Sequence, residues 1–133
     1  MELKSEVAEI VRHWLRRADN HMVAARILAQ ANDIRACDAA CYHVHEAIAK
    51  YIHALLTMHG THAARTHDLE YLFYTLPPEH QHLLDCSGLA FLSTYGIERY
   101  WDPDLDQVAS ALDIGTRFQE RVHQVAEPAS VIR

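Results

Sequence analysis

Glycine and proline are scarce in this chain, with four of each among 133 residues. That scarcity argues against a many-turned all-β architecture and against long structureless stretches. An excess of positive charge is missing too: 12 Lys and Arg face 18 Asp and Glu, giving a formal charge of −6 with His neutral. A broad electrostatic grip on a phosphate backbone is therefore not expected, although a local basic groove is compatible with this balance. The three cysteines, Cys37, Cys41 and Cys86, are odd in number and form no disulfide framework, which suits a reducing cytosol. No apolar run approaches the roughly 20 residues of a membrane span. The segment Met1 to Ile10 is charged and amphipathic, unlike the apolar core of a secretory leader. A cytoplasmic protein without membrane contact is the expectation.

What the chain does have is helical periodicity over an apolar content of 50%, enough for one core without disulfides or metal. From about Leu3 to Ala29, Val7, Ile10, Val11, Trp14, Leu15, Ala18, Met22, Ala25, Ile27 and Leu28 recur at roughly the three-to-four spacing of one helix face. Asn32 and Asp33 interrupt that stripe and can cap a second helix, which carries Cys41, Val44, Ile48, Tyr51 and Leu55. Gly60 suits a left-handed cap at its end. Residues 60–67 read as a loop, and Leu69, Leu72, Phe73 and Leu76 mark a short third helix. Pro77 and Pro78 force a break and open a fourth helix, from about Glu79 through Leu92. Asp102 as N-cap with Pro103 at the first helical position starts a last helix, which runs to about Ala126. The expected architecture is all-α: a four- to five-helix antiparallel up-and-down bundle, one domain over residues 1–126, with 127–133 as a loose, flexible tail.

Three landmarks carry more than fold. The first is Cys41-Tyr42-His43-Val44-His45-Glu46-Ala47-Ile48-Ala49-Lys50, the second Arg65-Thr66-His67-Asp68-Leu69, and the third Gly96-Ile97-Glu98-Arg99-Tyr100. With Trp14, Ala18 and Asp19 of the first helix, they resemble the HEPN family of small helical prokaryotic proteins, over nearly the whole chain from Trp14 to about Val125. The chain departs from the family pattern where His45 and Glu46 replace a Gln pair, Ala49 replaces a Glu before Lys50, and Trp101 replaces a Pro after Arg99-Tyr100.

The resemblance implies a homodimer that binds nucleotide or RNA and acts as the toxin-like or accessory partner of a small nucleotidyltransferase, with no cofactor. It also implies an alternative, a metal-independent endoribonuclease acting in a dimer cleft, with His67 and Arg99 as its catalytic pair and Arg65 beside them. The family's Arg-x4–6-His spacing occurs at Arg16–His21 and Arg117–His123, but neither lies where that motif belongs, and the stretch around Arg99 holds no His. A third reading is a structural module without ligand.

Each landmark also has an ordinary structural reading. In Arg65-Thr66-His67-Asp68, a guanidinium, an imidazole and a carboxylate stand together, yet Thr66 and Asp68 also suit the capping of the third helix. Lys50 with Arg65 and Arg99 could form an anion site, or Lys50 could pair with Glu46 one turn back. Tyr100 beside Arg99 could stack on a base, or pack the last helix against the bundle. The nucleotide-binding set is thus Lys50, Arg65, His67, Asp68, Arg99 and Tyr100. Cys37, Cys41 and His45 share a helix face at successive i,i+4 positions, but small buried Cys is the commoner reason for that pattern, and no metal is expected.

Overall fold

The computed structural model describes residues 2–97 and 102–132. Its three long helices are α1 (Ser5–Gln30), α2 (Cys37–Met58) and α6 (Leu105–Ala126), with the shorter α3 (Leu69–Tyr74), α4 (Pro78–Leu83) and α5 (Leu89–Ile97) between α2 and α6. Of the expected α1 stripe Ile10 and Ile27 are exposed, and the buried residues are Ala8, Val11, Leu15, Ala18, Met22 and Ala25. Their alternating three- and four-residue steps form the seam along which α1 packs antiparallel to α2. The middle helix α2 is buried on most of its faces, from Cys37 to Met58. It is the axis of the core, flanked by α1, α6 and the short helices. Gly115 of α6 lies against both other long helices: a Cβ there would lie 2.8 Å from Met22 Sδ and 3.0 Å from Val44 Cγ1.

The ends of α2 follow local chemistry. Asp33 Oδ1 accepts the Arg35 backbone N–H at 2.9 Å and starts a single 3-10 turn, Ile34–Ala36, that leads into the helix. At the other end Gly60, at φ +71°, allows its own N–H to reach Thr57 O and that of Thr61 to reach Leu56 O, at 3.0 and 2.9 Å. This crossed pair satisfies two end carbonyls at once, as the glycine suggests.

The bundle is all-helical in class, as expected, but three boundaries differ. The helix expected over 79–92 is divided into α4 and α5. Asp85 Oδ1 accepts from the backbone N–H and the hydroxyl of Ser87 at 2.8 and 2.6 Å. That local bonding competes with the helical ladder, and Gly88 completes the turn at φ +86°. The N-cap of α6 is Asp104 rather than Asp102. Asp104 Oδ1 accepts from Gln107 N at 2.8 Å while Gln107 Oε1 accepts from Asp104 N at 2.9 Å. Such a reciprocal box needs an amide or carboxylate three residues on, and Asp102 has Leu105 there. Finally, residues 130–132 of the expected loose tail form β2 (Ser130–Ile132), paired in parallel with β1 (Glu2–Lys4) in the register Leu3 to Val131. Packing α1 antiparallel to α6 brings the two chain ends together, and Leu3 is buried there.

Candidate functional site

The polar side of α2 faces the loop that joins it to α3. His45 is 1% exposed, and its Nε2 lies 3.0 Å from the main-chain oxygen of His67. A carbonyl only accepts, so Nε2 carries the hydrogen and the neutral ring has its lone pair on Nδ1. The same carbonyl also accepts from Ser93 Oγ of α5 at 3.2 Å, and Ser93 Oγ accepts from Leu69 N at 2.7 Å. These bonds pin the loop between α2 and α5. Thr66 Oγ1 accepts from Asp68 N and fixes the turn, and Asp68 Oδ1 accepts from Tyr71 N and caps α3, both at 3.1 Å.

Glu46 stands between two basic groups. Its Oε1 is 3.4 Å from the bare His45 Nδ1, with no hydrogen bond between them, and its Oε2 accepts from Lys50 Nζ at 2.8 Å. Against the opposing effect of burial, the Lys50 ammonium holds the Glu46 carboxyl below the usual carboxylate range. Lys50 is therefore committed to Glu46, as its one-turn spacing suggests. A cleft of about 250 Å³ opens beside them, lined by His45, Glu46, Lys50, His53, Arg65 and His67.

A larger, more apolar cleft of about 580 Å³ adjoins it between α1 and the same loop, with Val7, Ile10 and Trp14 on one wall and His53 and Arg65 on the other. Trp14 meets the His53 ring edge-on at 4.7 Å and 73°. Burial pulls the His53 pKa down, with the charge of Lys50 acting in the same direction. Because His53 and Arg65 line both spaces, the two form one groove, apolar at one end and polar at the other. Among the described residues Arg65 is exposed and has no ion-pair partner.

A second polar cluster crosses the core on the far side of α2. Asp19 Oδ1 accepts from the Tyr51 hydroxyl, from Gln119 Nε2 at 3.1 Å and from His123 Nε2 at 2.9 Å, while His123 Nδ1 is 3.0 Å from Glu127 Oε1. Burial opposes the charge on His123, but the hydrogen bond and charge of Asp19 win and raise its pKa. Burial likewise resists the charge on Asp19, whose pKa is nevertheless lowered by hydrogen bonds from Tyr51, His123 and Gln119. This network joins α1, α2 and α6, and sequence reasoning missed it. The residues are 32 and 104 positions apart from Asp19, and only the resemblance at Asp19 hinted at it.

The structure brings Lys50, Arg65 and His67 to one rim of the groove, whereas Asp68 does not line it and is occupied as the cap of α3. Arg99 and Tyr100 lie outside the described residues. Neither Arg-to-His spacing forms a shared site. Arg117 pairs with Asp85 and Asp113 at 2.7 and 3.0 Å while His123 holds Asp19, and His21 Nδ1 meets His43 Nδ1 at 2.8 Å. Cys37 and Cys41 are packed in the core, as small Cys on a helix face usually is.

Fold and groove together define a small helical-bundle domain with a polar-ended cleft along its central helix. The family model for the HEPN domain matches residues 11–127. The chain belongs to the HEPN domain family. No curated protein and no solved structure matches it significantly.

Proposed function

We propose that the groove along α2 binds a nucleotide or a short single-stranded RNA, and that the protein acts as the toxin-like or accessory partner of a small nucleotidyltransferase. The observation that carries the binding reading is the continuity of the groove through His53 and Arg65. An aromatic wall at Trp14 offers a base a stacking surface, sequence-tolerant because every base has a π-face. Arg65, with no ion-pair partner among the described residues, lines the same cleft and supplies a forked cation for phosphate. The net charge of −6 is no obstacle to a contact this local.

A ligand that binds the folded chain raises its melting temperature. Mono- and diphosphate nucleosides and short RNA oligomers are titrated against the wild type, Arg65→Ala and Trp14→Leu. The expected result is a wild-type shift that Arg65→Ala removes and Trp14→Leu reduces. No shift with any of these ligands overturns the reading. The partnership rests on the family resemblance and is tested by co-expression with a small nucleotidyltransferase and capture of the pair; failure to associate counts against it. Homodimerisation is proposed on the same basis, and Val23 and Ile27, exposed one turn apart on α1, are apolar side chains such an interface would cover.

One observation favours a second reading, a metal-independent endoribonuclease. The His67 ring is exposed beside Arg65 while its backbone is held by His45 and Ser93. That arrangement suits general acid–base work on a ribose 2′-hydroxyl with a guanidinium on the phosphate. RNA cleavage in chelator, lost in His67→Ala, Arg65→Ala and Arg99→Ala, is the expected result. Cleavage that survives all three substitutions sinks it.

A further inference from the structure

One buried group in the groove is left without a partner. His45 Nδ1 is fully enclosed and makes no hydrogen bond, although the ring is anchored through Nε2 to the His67 carbonyl. Anchoring one ring nitrogen on a carbonyl while the other stays bare is how a metal-binding imidazole is held and oriented. The bare nitrogen faces Glu46 Oε1 at 3.4 Å. Two ligand atoms bound to one zinc-sized ion at about 2.0–2.2 Å, across a tetrahedral angle, stand about 3.4 Å apart. Lys50 occupies only the other oxygen of Glu46, so Oε1 is free to ligate. A ligand atom of each of His45, Glu46 and His67 lies within 4.8 Å of the other two. His67 is exposed, so its ring has room to turn toward the other two.

We propose that His45, Glu46 and His67 bind a divalent transition-metal ion of the zinc class, with the remaining coordination position open to the cleft. Two imidazoles and one carboxylate are a borderline-soft set that suits zinc better than calcium or magnesium. The open position faces the space bordered by Arg65, where water or a phosphate oxygen can enter. The proposal goes beyond nucleotide binding and does not depend on it, because metal binding by the chain alone decides it.

A second histidine cluster supplies the control. His59 Nε2 and His80 Nε2 lie 2.7 Å apart, 3.8 Å from Glu79 in the case of His59. There the two facing nitrogens satisfy each other, and the unpartnered atom of His80 is Nδ1 instead. That pair is a formed hydrogen bond and not a waiting ligand set.

The chelator-treated protein is titrated with zinc chloride by calorimetry and with cobalt chloride by visible absorbance. The variants are His67→Ala, Glu46→Gln and, as control, His59→Ala, each checked for folding by circular dichroism. Loss of an outer contact to a ligand weakens metal binding roughly 10- to 100-fold, so loss of a ligand is expected to exceed about 100-fold. The expected result is one tight equivalent in the wild type and His59→Ala, lost in His67→Ala and Glu46→Gln. Wild-type binding no tighter than that of His67→Ala overturns the proposal, as does a loss that follows His59→Ala instead. Because His67 is an exposed loop residue, folding of that variant keeps the test open even if Glu46→Gln is unstable.

Discussion

His45 in α2 donates through Nε2 to the main-chain oxygen of His67, 22 residues on, across 3.0 Å. That bond ties the 59–68 loop, and with it the rim of the groove, to α2. Ser93 adds the second tie, from α5 to the same carbonyl and to the Leu69 N–H.

Ser93→Ala removes the acceptor of the Leu69 N–H in a place where Leu69 itself has no exposed surface. An unsatisfied buried donor costs about 1–3 kcal/mol. Urea unfolding should show a loss of that size with an unchanged denaturant slope, and a change under about 0.5 kcal/mol would mean that another acceptor takes the amide.

The Asp19–His123 contact predicts a pH window. His123 has a raised folded pKa, so its contribution is complete below the ordinary 6.5 and fades as pH rises through the folded value. Asp19 has a lowered folded pKa, so its contribution is complete above 3.8 and fades as pH falls through the folded value. The stability difference between wild type and His123→Gln should therefore be largest between pH 3.8 and 6.5 and shrink on either side. The difference is the quantity to follow. The rings of His21, His53 and His80, whose pKa values burial lowers, lose stability as pH falls and would obscure a single curve. A flat difference from pH 5 to about pH 9 would contradict the pairing.

Asp104 and Asp102 separate two accounts of where α6 starts. Asp104→Ala removes the side-chain acceptor of the capping box and should lower stability by about 0.5–2 kcal/mol. Asp102→Ala should stay within about 0.5 kcal/mol, as for an exposed position away from such features. Thermal melts of the two variants side by side give the answer, and equal effects would place the cap elsewhere.

Gly115→Ala puts a methyl group against Met22 and Val44 in the crossing of α1, α2 and α6. Overpacking costs about 1–3 kcal/mol, and the better helix propensity of Ala returns about 1 kcal/mol. A net loss of up to about 2 kcal/mol is expected in chemical unfolding. A stabilised variant would show that the thioether of Met22 moves aside freely.

Much of the scaffold was readable because helices advertise themselves locally. The stripe from Val11 to Ala25, the glycine at the end of α2 and the last helix to Ala126 all follow from spacings within one or two turns. The errors arose where local signals competed. Asp102-Pro103 looks like a start, but the reciprocal box at Asp104 and Gln107 makes two bonds where Asp102 could make one. The helix expected over 79–92 yields to Asp85 and Ser87, whose side chains bond the turn directly.

Alone, the sequence determined the helical class, the long helices, the family likeness and the polar residues of the α2–α3 loop. Tertiary structure decided which of those residues meet. It left Arg65 free of ion pairs among the described residues and brought His67 beside the bare nitrogen of His45 and the Glu46 carboxylate. It also built the Asp19–His123 network and joined the two chain ends in a short parallel pair. The reason is physical: periodicity encodes which face of a helix is apolar, whereas contacts between residues tens of positions apart depend on how those faces pack and which backbone carbonyls the packing leaves to be satisfied.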